Sequence, residues 1–158
     1  MSQIHPPVMS REESSATLCL YDLLGGEKAL EFVIDVAFSR MLDDSSIGFF
    51  LGGIEIETAR DYLIEFFAMI FKHGLPSDTT DMDNEVIQHL EGPFTLGLSD
   101  KHFDLMIGHT VLTLQEFGVN RLTVVEIVRA ISPLRRLITL GAHEVSQRQA
   151  RARRFLSS

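Results

Sequence analysis

Apolar residues recur at every third or fourth position over most of the chain, the spacing typical of amphipathic helices. The first such face follows a break at residues 25–26, where two glycines allow helices to meet at a sharp angle, and comprises Leu30, Val33, Ala37 and Met41. A strongly apolar helix is then predicted from Ile56 to a stop at Gly74. Strand-type alternation is scarce, so the pattern predicts an all-α fold.

Two further helices are predicted in the second half of the chain. Ser99 is expected to cap a long helix that runs to Gly118. Its apolar positions are Phe103, Met106, Ile107, Val111 and Leu114. The last helix is predicted from Thr123 to Leu140, with an apolar face of Val124, Ile127, Val128, Ile131, Leu134 and Ile138. Pro133 lies within this face and is expected to kink the helix or open a turn.

The segments between these helices carry turn-forming residues. Phe49 and Phe50 are expected in a turn that residues 52–53 close, and the polar segment 75–84 is expected to be a loop. A short helix, EVIQHL, precedes a predicted break at residues 92–93, a Gly-Pro pair. Residues 1–17 are interpreted as a flexible N-terminal arm, 18–140 as the globular domain, and 141–158 as a C-terminal extension with a basic tail.

Composition narrows the class of protein. With 158 residues, 45% of them hydrophobic, the chain is long enough for one domain with its own core. A net charge of −8 argues against nucleic-acid binding, which depends on dense lysine and arginine. Cys19 is the single cysteine, which excludes an internal disulfide and suits a reducing compartment, so a cytoplasmic location is predicted. No apolar run approaches the roughly 20 residues that cross a bilayer.

The segment RQARARRFLSS is basic although the whole chain is acidic. Its arginines are Arg148, Arg151, Arg153 and Arg154. Short charge runs are common in solvated tails, which is the simpler interpretation. The alternative is a weak contact with an acidic partner or an anionic lipid surface, without membrane insertion.

His89 is the candidate ligand that the residues themselves single out. Helical spacing places Val86 and Leu90 beside it, so its imidazole has an apolar wall of the kind that suits an axial ligand of haem iron. A core histidine that hydrogen-bonds a carbonyl fits the same spacing equally well. The remaining histidines are interpreted as structural or as part of the arm: His5, His73, His102, His109 and His143. They lack the close spacing of zinc ligands.

The order of several segments resembles a known family. LYDLLGGEKALEFVIDVAFSRMLDD, an FF and a GG, the helix that ends at Gly74, VIQH, and LGLSDKHFDLMIGH followed by EFGV are similar to segments of the truncated haemoglobins, most closely the group with the shortest chains. The resemblance covers residues 18–140. It implies a two-over-two helical sandwich around haem b. The interval from His89 to the His102-Phe103 pair resembles that of cyanobacterial members, which implies that His89 is the proximal iron ligand.

The resemblance also locates a departure on the opposite, distal wall. Many members have a tyrosine where this chain has Phe38, so a hydroxyl donor to bound O2 is missing. The haem-facing positions of the next helix correspond to Ala59, Tyr62 and Leu63, of which only Tyr62 is polar. Tyr62 could donate a hydrogen bond to the gas or, as phenolate, ligate ferric iron. It could equally lie over the haem edge with its hydroxyl in solvent or on a propionate.

Further haem-lining residues follow from the resemblance, namely Phe49, Phe50, Phe66, Phe67, Phe71, Val86, Phe103 and Ile107. Without it, the aromatic stripe is typical of plain core packing. The favoured function is reversible binding of O2, NO or CO by a monomer or weak dimer. One alternative is a haem enzyme that converts NO and O2 to nitrate, or reduces nitrite or peroxide, with a separate reductase. The other is a haem-free interaction or sensor module, which the presence of His89 disfavours.

Overall fold

This computed structural model describes residues 18–157, and the regular elements of that range are all helices. In chain order they are α1 (Leu20–Leu24), α2 (Gly26–Asp43), α3 (Ser45–Leu51), α4 (Ile56–His73), α5 (Thr80–His89), α6 (Glu91–Leu96), α7 (Asp100–Glu116), α8 (Arg121–Ile131), a 3₁₀ turn (Ser132–Leu134) and α9 (Arg135–Ser157). The predicted all-α fold is therefore confirmed, while the predicted N-terminal arm lies outside the described residues.

Two pairs of helices enclose the core. α2 packs against α4, and α7 packs against α8. α9 joins the second pair by packing against α7. The pairs meet where α2 crosses α7 and where α4 contacts α8. The most deeply buried side chains of this core come from both pairs, and they include Leu30, Leu114, Ile127 and Leu137. The apolar faces that helical periodicity predicted for α2 and α8 are the faces that point inward.

Two predicted breaks lie where they were expected. Gly25 has a φ of 125°, which is costly for any residue with a side chain, and it separates α1 from α2. A Cβ at this position would lie 2.9 Å from the Cβ of Ala29, so the turn is also sterically closed to larger residues. Pro133 lies in the 3₁₀ turn between α8 and α9, which confirms that the last predicted helix is interrupted there.

The turn predicted at Phe49 and Phe50 is wrong, because residues 45–51 form α3. Asp44 caps this helix, since its side chain accepts a hydrogen bond from the Ser46 N–H at 2.9 Å. The side chains of Ile47 and Leu51, one turn apart, are buried. The local signal was missed because α3 is short and is followed directly by two glycines.

The prediction for residues 75–93 is wrong in two respects. Residues 80–84 are not a loop but the first half of α5, whose acidic side chains near the helix start are favourable with the helix dipole. The pair Gly92-Pro93 does not break the chain but lies within α6. Pro93 is the third residue of that helix, where its missing N–H would have no intrahelical acceptor.

The final helix also extends beyond its predicted end. α9 continues past Leu140 to Ser157 and carries the basic segment as exposed helix. Arg148 on α9 forms an ion pair with Glu91 of α6 at 3.5 Å. No helix in the described range is both long enough and apolar enough to span a membrane.

Candidate functional site

A cavity of about 430 Å³ lies between α2, α4, α5 and α7, with α8 and α9 at its inner end. Its volume falls within the range of small-molecule sites, which is about 300–1,000 Å³. Most of the lining is apolar. Nine residues that the sequence proposed for the site line this cavity: Phe38, Ala59, Tyr62, Leu63, Phe66, Phe71, Val86, His89 and Phe103. Phe67, which the sequence also proposed, is the tenth such residue.

His89 is the last residue of α5 and contributes an imidazole to the cavity wall. Val86 and Leu90, which helical spacing placed beside it, line the cavity too. His89 itself is exposed, so its ring lies at the edge of the cavity and not in the core. This position does not agree with the alternative of a buried core histidine.

Tyr62 on α4 lies directly against His89. The two ring centroids are 4.1 Å apart and the ring planes are inclined by 30°. On its other side Tyr62 stacks on Phe66, with centroids 5.7 Å apart. Burial, with a smaller contribution from the negative charge of Glu85, raises the pKa of Tyr62 to about 12. The Tyr62 side chain is therefore a neutral phenol near pH 7, which is a hydrogen-bond donor.

Two other hydroxyls line the cavity, and sequence reasoning missed both. Thr58 Oγ1 donates to the Glu55 side chain at 2.7 Å, and Thr110 Oγ1 donates to the Met106 carbonyl at 2.8 Å. Their hydrogens are thus already committed within their own helices. The signal for Thr110 was present in the sequence, because it is one turn beyond Met106 on the face that also carries Phe103.

The cavity lining around Tyr62 is mainly apolar, although the Glu55 side chain belongs to it. Phe38 lines the cavity and is 8% exposed, in a small cluster with Ile47 and Leu51. Ala59 and Leu63 pack against the same cluster. The hydroxyls of Thr58 and Thr110 already donate hydrogen bonds. Of the three hydroxyls that line the cavity, the Tyr62 hydroxyl is therefore the one that can still turn toward a ligand.

Three of the proposed residues lie outside the cavity, which corrects the expectation that they line it. Phe49 is 65% exposed because it lies on the face of α3 opposite Ile47 and Leu51. Phe50 turns instead to the ring of His102, with centroids 4.2 Å apart. Ile107 is displaced by one position from the α7 face that enters the cavity, where Met106 lines the wall in its place.

The other histidines of residues 18–157 have structural positions or lie away from the cavity. His102 Nδ1 accepts a hydrogen bond from the Ser99 N–H at 2.9 Å and so helps to cap α7. His109 Nε2 lies 2.7 Å from a carboxylate oxygen of Asp44 and ties α7 to the start of α3. His73 and His143 are exposed. Within this range no three histidine, cysteine or acidic side chains gather as a metal site.

The site fits the haem that the sequence resemblance implies. It offers one imidazole in a mostly apolar lining that also includes the Glu55 carboxylate and the hydroxyls of Thr58, Tyr62 and Thr110, and the volume of the cavity lies in the range of small-molecule sites. The Tyr62 ring, which starts from α4 and packs on His89, bridges the two walls. A flat macrocycle between α4 and α5 therefore requires this ring to turn aside.

Comparison with known proteins places these features in context. No family model matches the chain. The chain is 30% identical to the Group 1 truncated hemoglobin GlbN of Mycolicibacterium paratuberculosis over 134 residues, which cover 85% of this chain and 93% of the relative. It is 28% identical to the Group 1 truncated hemoglobin GlbN of Synechocystis sp. over 102 residues, which cover 63% of this chain and 78% of the relative.

Solved structures give the same fold. The truncated hemoglobin from Tetrahymena pyriformis, in its Fe(III) form, aligns with a TM-score of 0.61 and 21% identity over 77% of this chain and 98% of its own. The 2/2 hemoglobin from Synechococcus sp., in the cyanomet state with covalently attached heme, aligns with a TM-score of 0.58 and 23% identity over 73% of this chain and 91% of its own. The expected two-over-two helical sandwich is thereby confirmed.

Proposed function

This chain belongs to the group 1 truncated haemoglobins, and on that premise we propose that it reversibly binds a diatomic gas (O2, NO or CO) at the iron of a haem b held by His89. One observation carries the proposal. Of the histidines between residues 18 and 157, His89 alone lines the large apolar cavity. It does so from the C-terminal end of a short helix, with its ring at the cavity edge.

In this proposal the residues of the chain bind the haem iron and surround the cofactor with apolar surface. Haem, when bound, supplies an iron centre with a coordination position for the gas. His89 would hold the iron through one imidazole nitrogen. Phe38, Phe66 and Phe103 surround the remainder of the pocket with apolar surface, which favours a flat, largely apolar cofactor.

Tyr62 is the proposed donor to the gas on the distal side. Its hydroxyl replaces the one that is missing at Phe38, and Tyr62 lines the cavity from α4. A hydrogen bond from Tyr62 would favour O2 over CO, because bound O2 is the more polar of the two ligands. A hydrogen bond of this kind contributes about 1–3 kcal/mol, equivalent to about 5- to 150-fold in affinity.

Titration of haem into the purified protein tests the proposal. The wild type is expected to give a Soret band with a stoichiometry of one haem per chain. His89→Ala is expected to lose or strongly shift that band, because the pocket then lacks its imidazole. His73→Ala is the matched control, since His73 is exposed at the end of α4 and outside the cavity. An unchanged band in His89→Ala would disprove the assignment.

A further inference from the structure

The helix that carries His89 buries one side chain fully and packs the partly buried Met82 and Val86 against the core. Ile87 is the buried residue of α5, a helix of 10 residues. A helix that short is marginal in isolation, so its position depends on tertiary contacts. Those contacts come largely from α9, which packs along both α5 and α6.

Arg136 of α9 makes the polar part of this contact. Its Nη1 donates to Asp83 Oδ2 at 2.9 Å and its Nη2 donates to Asp83 Oδ1 at 3.2 Å, a two-pronged pair. The same Nη2 donates to Thr79 Oγ1 at 2.9 Å. Thr79 in turn donates to Asp83 at 3.2 Å, which closes a triangle around the first turn of α5.

This triangle differs from an ordinary surface ion pair. The Asp83 side chain is only 15% exposed, so solvent screens the pair less than it screens two fully exposed partners. Arg136 is fixed at its base, because the next two residues, Leu137 and Ile138, are 1% and 5% exposed and belong to the core. The guanidinium therefore links the start of α5 to a rigid part of the molecule.

The link acts on His89 through the helix itself. Asp83 and His89 are six positions apart, about 9 Å along a helix that rises about 1.5 Å per residue. Beyond His89, Phe94 of α6 packs over Gly141 of α9, so α9 holds the chain on both sides of the imidazole. A change at the first turn can then only rotate or tilt α5, which moves the imidazole at its last residue.

We infer that Arg136 is a positioning residue for His89, which it orients through Asp83 and Thr79 by fixing the first turn of α5. The inference rests on the proposed role of His89 as iron ligand. Arg136 does not line the cavity.

Arg136→Gln tests this, and the neighbouring residue supplies a matched control. Arg135 is on the same helix and its side chain is 47% exposed against 48% for Arg136. Arg135 pairs with Asp100 and Asp104, which both belong to α7 and not to α5. Arg135→Gln therefore removes a comparable ion pair without changing the anchorage of His89.

Two measurements follow the position of the imidazole. The iron–histidine stretching band in the Raman spectrum of the ferrous, haem-loaded protein is expected to shift or broaden in Arg136→Gln and to stay unchanged in Arg135→Gln. Amide hydrogen exchange of residues 80–90, measured without haem, is expected to accelerate about tenfold in Arg136→Gln only, a factor equal to about 1.4 kcal/mol. Arg136→Lys keeps the charge but lacks the fork, so it is expected to restore both signals in part.

The contact itself is tested by Asp83→Asn. This variant is expected to reproduce Arg136→Gln, and the double variant is expected to be no worse than either single one, because one interaction is removed in all three. If Arg136→Gln kept the wild-type Raman band while His89→Ala lost its Soret band, the positioning role of Arg136 would be refuted and the assignment of His89 as ligand would stand. A Soret band retained in His89→Ala would instead refute the ligand assignment and, with it, the positioning role.

Discussion

The packing of α6 on α9 depends on the absence of a side chain at Gly141. A Cβ at this position would overlap the ring of Phe94, because two ring carbons would lie closer than 3.0 Å to it and a third would lie at 3.0 Å. Phe94 is 4% exposed and belongs to the core, so it has little room to move. Overpacking of a core costs about 1–3 kcal/mol, and three overlapping atoms place Gly141→Ala at the upper end. Replacing a glycine inside a helix by alanine stabilises the folded state by about 1 kcal/mol. The net expectation is a loss of about 1–2 kcal/mol.

Urea denaturation measures this difference directly. With a slope of about 2 kcal/mol per M, Gly141→Ala is expected to lower the midpoint by about 0.5–1 M. Gly108→Ala is the matched control, because Gly108 is also helical and its added Cβ would meet no atom within 4 Å. It is expected to raise the stability by about 1 kcal/mol. Equal midpoints for the two variants would refute the proposed close contact, whereas Phe94→Leu is expected to reduce the cost of Gly141→Ala.

The remaining predictions concern the gas ligand and the acid stability of the fold. Tyr62→Phe is expected to speed O2 dissociation about 5- to 150-fold while CO dissociation changes less; an unchanged O2 rate by flash photolysis would remove Tyr62 as donor. The pKa of Asp44 is lowered, first by its hydrogen bond with His109 and then by the Ser46 N–H. Because this pKa is lower in the folded than in the unfolded state, the carboxylate stabilises the fold above the unfolded value of 3.8, and this contribution is lost as the pH falls through the folded value. Asp44→Asn is therefore expected to be less stable than wild type at pH 6 and to approach it near pH 2; a stability difference independent of pH would contradict this.

Helical periodicity in the sequence was sufficient to predict the helices that build the core. α2, α4, α7 and α8 each bury a continuous apolar face, so the spacing of residues such as Leu30 and Ile127 determines both the helix and its orientation. The failures lie where tertiary contacts replace that signal. The first half of α5 is polar and is held by Arg136, and the end of α9 is helical without an apolar face.

The candidate site shows the same division. The resemblance assigned His89 and Tyr62 to opposite walls of the pocket, whereas in the structure their rings are in direct contact, with centroids 4.1 Å apart. It could not place Phe49 and Phe50, because their direction depends on the rotation of α3, which Asp44 and Ile47 set. It also missed Thr58, which no pattern in the sequence distinguishes, and Thr110, although Thr110 lies one turn beyond Met106 on the same helix face.

The proximal role of His89 is tested most directly by replacing it with glycine and adding imidazole. The haem-loaded ferrous His89→Gly protein is expected to have an altered absorption spectrum, and titrated imidazole is expected to restore the wild-type spectrum by occupying the space of the lost ring. The same titration is expected to leave His73→Gly unchanged, because His73 does not line the cavity. A His89→Gly spectrum identical to wild type before imidazole is added would contradict the assignment of His89 as the iron ligand.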